Sequence, residues 1–131
     1  MAIVSLHFQP AAEHVRTARL VAVATARRAG LDEARLDEVR LAVGEVCARA
    51  VRRSQRAGID ERLAVEMDDG PATFSVEVTD HAGEVDLDEE SIALALVRGL
   101  ADVVTVLDGP GGPGGAVCLT WRSDPGPGVR H

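Results

Sequence analysis

Lysine, asparagine and tyrosine do not occur in this 131-residue chain, and only Phe8, Phe74 and Trp121 are aromatic. Without lysine, all fourteen basic residues are arginine, which excludes a lysine base or a phosphate-binding ammonium. Without asparagine, no neutral Asn amide is available as a metal ligand. Cys47 and Cys118 stand alone in apolar patterns without metal-ligand spacing, which reads as two buried free thiols. No apolar run reaches the roughly 18 residues that a membrane span needs. The start MAIVSLHFQP also lacks the basic region of a signal peptide, so a soluble cytoplasmic protein is expected, without membrane association. The net charge of -7 argues against nucleic acid as the main partner, because phosphate binding needs a basic stripe.

What is present is a hydrophobic fraction of 46%, mostly Ala, Val and Leu, in a length that suits one domain. Ala2 to Phe8 reads as a strand stopped at Pro10, and Ala12 to Ala29 as a helix closed by Gly30. Asp32 is a suitable N-cap for a long helix to about Arg56, ended by Gly58. Arg62 to Met67 and Thr73 to Thr79 form strands around the turn Asp68-Asp69-Gly70-Pro71. Glu89 to about Leu100 is a third helix. Val103 to Leu107 and Ala116 to Arg122 pair across GPGGPGG, taken as a flexible hairpin loop. That run lacks the Lys-Ser/Thr of a phosphate-binding loop and precedes a strand, not a helix. The order predicts a two-layer α/β (α+β) sandwich, a mixed and mainly antiparallel sheet with about three helices on one face. The domain is expected over 1–123, with 124–131 a disordered tail.

On the long helix, Leu36, Val39, Val43, Val46, Cys47 and Ala50 share an apolar face, with Glu38, Ala42, Glu45 and Arg49 along its flank. Locally, Glu45 and Arg49 read as an exposed i, i+4 ion pair worth a few tenths of a kcal/mol. The stretch LAVGEVCARA, from Leu41 to Ala50, resembles the first motif of the histidine-kinase-like ATPase fold of RsbW and SpoIIAB-type anti-sigma factor serine kinases. That motif runs Glu, three residues, Asn, Ala. Glu45 and Ala50 match it, but Arg49 holds the Asn position. Asp80-His81-Ala82-Gly83-Glu84 resembles the second motif, Asp-x-Gly-x-Gly, with Asp80 in place and both glycines replaced. Ser91-Ile92-Ala93-Leu94 stands where a Gly-x-Gly-Leu stretch cradles phosphates, with only ten residues between Asp80 and Ser91 and without the glycines. The resemblance covers about residues 3 to 122.

The resemblance implies Glu45 as the catalytic base and Asp80 as the adenine-binding residue. The Asn would ligate magnesium, and an arginine there cannot, because guanidinium only donates. The departures point away from nucleotide chemistry: no cofactor and no metal site are expected, and ATP–magnesium belongs to the alternative. Asp80 on local sequence reads equally as a strand-end turn residue. The first helix carries two apolar sides, Val15, Ala18, Ala22 and Ala26 on one, Leu20, Val21 and Ala24 on the other. Arg19 falls within the first side, where an arginine snorkelling at the helix edge is the simple explanation. In the resembled anti-sigma factors this helix contributes to dimerisation and grips the sigma factor, with an arginine at the position of Arg19. Arg16 lies one turn earlier. The expected function is an anti-sigma-like switch that binds a sigma factor, a STAS-type anti-anti-sigma factor, or both, as a homodimer. The alternative is an active protein-serine kinase acting on a STAS partner, and an unrelated α/β adaptor is the third reading.

Overall fold

The computed structural model describes residues 2–83 and 87–123. Strand β1 (Ala2–Phe8) is followed by α1 (Val15–Arg28) and α2 (Glu33–Ala57). Then come β2 (Leu63–Asp69), β3 (Thr73–Thr79), α3 (Leu87–Arg98), β4 (Val103–Gly109) and β5 (Gly112–Arg122). The sheet order is β1-β2-β3-β5-β4. Every pairing is antiparallel, where a mixed sheet was expected.

The elements follow from their residues. Asp32 caps α2 by accepting the Arg35 N–H at 3.0 Å, and Gly58 ends it with a left-handed φ of 67°. No side chain caps the start of α1, and residues Ala12–His14 wind as a tighter 3-10 turn instead of helix. Alternation decides the sheet. Phe74, Val76 and Val78 of β3 are buried, and so are Leu63, Val65 and Met67 of β2 and Val117, Leu119 and Trp121 of β5. They meet the six expected apolar residues of α2, all buried, together with Ala18, Ala22 and Ala26 of α1. Trp121 is the largest fully buried side chain, and its indole N–H donates to the Leu100 carbonyl at 3.0 Å. Cys47 lies in this core, and burial pushes its thiol up to about 12, against a smaller opposing effect of Arg19.

Two turns differ from expectation. The β2–β3 ladder continues to Asp69 opposite Phe74, so the chain reverses over residues 70–72. The strands extend into the glycine-rich run: Gly109 pairs with Gly112, leaving a two-residue turn at Pro110 and Gly111. A bulge between Leu107 and Gly109 interrupts β4. Glu84 of the second motif and the expected tail 124–131 lie outside the described residues. Among the described residues, no helix is long and apolar enough to cross a membrane.

Candidate functional site

Helix α2 separates two sites by its own period. Arg49 and Arg53 are four residues apart and therefore share one flank, which faces the end of β3 and the start of β5. Arg49 is only 3% exposed, and its Nη2 donates to the Gly114 carbonyl at 2.8 Å. Burial, then the charge of Arg53, lowers the Arg49 guanidinium to about 10, with Asp80 acting the other way. It remains a cation at neutral pH. The exposed Glu45–Arg49 pair expected from spacing is not formed. A buried carbonyl takes the Arg49 donor, and Glu45 sits instead 3.7 Å from Arg52.

Asp80 closes β3. Its backbone N–H donates to the Gly115 carbonyl at 2.7 Å, and its Oδ1 accepts the Ala82 N–H at 2.9 Å. Its Oδ2 accepts from Arg53 Nε at 2.9 Å, and Arg53 Nη2 also reaches the carbonyls of Ala82 and Pro113. Asp80 is 1% exposed. The strand-end turn reading of Asp80 thus describes its Ala82 contact. A base would have to take this carboxylate from a buried guanidinium. Arg49 offers only donors where a cation needs acceptors. The side chains as arranged do not fit a nucleotide–magnesium group. Among the described residues, no three His, Cys, Asp or Glu side chains gather as a metal site.

On the other side of α2, α1 and α2 enclose an open groove of about 710 Å3 whose walls include Arg16, Arg19, Leu41, Gly44, Glu45 and Arg52. Arg19 is half-buried because its stem crosses α2 at Gly44, where a methyl group would lie 2.7 Å from Arg19 Cδ. Arg16 is exposed on the same groove. Arg16 and Arg19 also border a second groove of about 380 Å3 with Arg27 and Arg40, beside Leu20, which is 62% exposed. Arg16, Arg19 and Glu45 therefore share a groove, and Asp80 is not among its walls. Sequence reasoning missed Arg53. The available signal was its spacing from Arg49, a second arginine one turn on along the same flank.

A small antiparallel sheet covered by helices, with the motif-bearing α2 beside the end of β3, defines a histidine-kinase-like ATPase fold. The family model of the histidine kinase-like ATPase domain matches residues 8–121, and the chain belongs to that family. Among solved structures it is similar to the crystal structure of the RsbU and RsbW domains of Rv1364c from Mycobacterium tuberculosis. The TM-score is 0.72 at 19% identity, over 95% of this chain and 34% of that one. The fold is thus of the RsbW type, and the chain spans about a third of that structure's length. The comparison with curated proteins gives no match.

Proposed function

We propose that this chain is a partner-switching protein of the anti-sigma kind that binds a sigma factor, a STAS-type anti-anti-sigma factor, or both, without nucleotide chemistry. One contrast carries the reading. The carboxylate that the family motif assigns to adenine is buried on Arg53, while the face bearing Arg16 and Arg19 is an open groove. Arginine suits such a face because its planar donors pair bidentately with carboxylates, which the exposed helices of an acidic partner supply. Calorimetry should detect no micromolar ATP–magnesium affinity, about -8 kcal/mol. Titration with a sigma or STAS candidate should give saturable binding. Glu45 keeps a side chain 31% exposed, which is the observation favouring the kinase alternative. Phosphate transfer from ATP to a STAS partner, stopped by Glu45→Gln, would establish that alternative and overturn our reading.

The homodimer belongs to the same proposal, and we assign it to β1 with the outer side of α1. Strand β1 is a sheet edge of seven residues without a charged side chain, proline or bulge. The opposite edge, β4, carries its bulge beside Asp108. Unguarded edges of this kind pair with other strands. Val4, Leu20, Val21 and Ala24 border an apolar groove of about 400 Å3 beside that edge.

A further inference from the structure

The cluster around Arg53 joins three segments that are distant in sequence. Arg53 and Asp80 side chains are 5% and 1% exposed. From the end of α2, one guanidinium reaches the Asp80 carboxylate, the Ala82 carbonyl at 3.1 Å and the Pro113 carbonyl at 3.3 Å. Arg49, one turn earlier, holds the Gly114 carbonyl. The hairpin tip also lies directly on the loop after β3: a side-chain carbon at Gly111 would collide with the His81 carbonyl oxygen. Only glycine allows backbone to approach backbone that closely.

We propose that Arg53 is a resident ligand of Asp80. Its guanidinium permanently occupies the carboxylate that the resembled motif assigns to adenine, and it clamps residues 80–83 and 109–115 in one closed arrangement. The chemistry favours the resident. A base presents a neutral amino donor to a carboxylate, whereas guanidinium presents planar, charged donors whose hydrogen bonds are roughly twice as strong. Displacement would also break the buried 2.9 Å hydrogen bond between Arg53 Nε and Asp80. The inference rests on the proposed loss of nucleotide chemistry but not on any partner, so a failure of partner binding leaves it standing.

Amide hydrogen exchange of the full chain tests it, with Arg53→Ala, methylguanidinium chloride and adenosine as probes. In Arg53→Ala, exchange at 80–83 and 109–115 should rise about tenfold or more, with β1 and β2 changed less. Methylguanidinium should restore protection there, and methylammonium at the same concentration should not. Adenosine should leave wild-type exchange unchanged. Wild-type exchange rates in Arg53→Ala, or rescue by both cations alike, would overturn the clamp, and so would protection of wild-type 80–83 by adenosine. Should Arg53→Ala fail to fold, Arg53→Lys decides the matter. It keeps the charge but loses the planar fork, so 109–115 should exchange faster than wild type, and unchanged rates there refute the proposal.

Discussion

Asp80→Asn separates a structural carboxylate from a ligand-binding one. The substitution keeps the side chain's shape and one oxygen for the Ala82 N–H, but it removes the charge facing Arg53. The two strong contacts are both 2.9 Å, in a site almost closed to water, whereas Arg53 Nη2 to Oδ1 is long at 3.5 Å. Breaking a buried pair by removing one partner costs about 3–5 kcal/mol. Folded domains have only about 5–15 kcal/mol in total. At about 4 °C per kcal/mol for a chain of this size, the melting temperature should fall by about 12–20 °C. Glu45→Gln removes a half-exposed partner 3.7 Å from Arg52, worth about 1 kcal/mol or less, and should shift it by under about 4 °C. Thermal melts followed by circular dichroism, with urea midpoints as a second probe, compare the two. An adenine-binding Asp80 gives the opposite pattern, in which Asp80→Asn barely affects the free protein. If both variants melt within about 4 °C of wild type, the buried pair does not hold this fold together.

On the partner face, Arg19→Ala should weaken binding of a sigma or STAS candidate by about 2 kcal/mol and leave the melting temperature nearly unchanged. Gly44→Ala should gain about 0.8–1 kcal/mol in helix propensity yet weaken the same binding, because the methyl group displaces the Arg19 stem. Wild-type affinity in either variant would remove α1 from the recognition surface. Asp102 is held below its ordinary value of 3.8, first by the Arg122 N–H at 2.7 Å and also by Arg35 at 2.8 Å. A depressed carboxyl stabilises above its unfolded value and loses that contribution as pH falls through the folded one. Asp102→Asn should therefore lose less stability than wild type between pH 7 and about pH 3, read from urea midpoints. Two copies of β1 paired antiparallel about Ser5 bring the Ser5 Cα atoms to about 4.5–5.5 Å, within disulfide range. Ser5→Cys in a Cys118→Ser background should form a covalent dimer under mild oxidation, and a monomeric product places the dimer elsewhere.

Most of the fold was legible because its signals are local. Asp32 and Gly58 mark the ends of α2, and a period of two in Thr73 to Thr79 separates the buried side of β3 from its outer side. The glycine-rich run was misread because its composition permits flexibility, while its structure depends on partners elsewhere in sequence. Gly109 pairs Gly112, and the carbonyls of Pro113 and Gly114 receive arginines from α2. The same reason hid Arg53. On a helical wheel it extends a polar flank, and only the placement of β3 and the hairpin turns that flank into a buried one. Arg19 was legible as an anomaly, an arginine among alanines, but the slot that accommodates it belongs to Gly44 on another helix.

The departures from the family's motifs make physical sense as one exchange. A phosphate is held by backbone N–H groups, and those approach it closely where glycine leaves room. Ala82 and Ala93 stand where the resembled motifs place glycine, and on the proposed reading each adds a side chain where backbone would approach a phosphate. Glycine is abundant instead at 109–115, where the chain needs backbone carbonyls close to α2. Carbonyls are what buried guanidinium groups require, and Arg49 and Arg53 take those of Gly114, Pro113 and Ala82. Replacing only the Asn position with arginine would bury a cation beside an empty carboxylate. Placing a second arginine four residues on fills that carboxylate from the same helix. On the proposed reading, the site has therefore been closed by its own side chains, and the opposite flank of α2, where Gly44 faces Arg19 of α1, was left free to keep its groove.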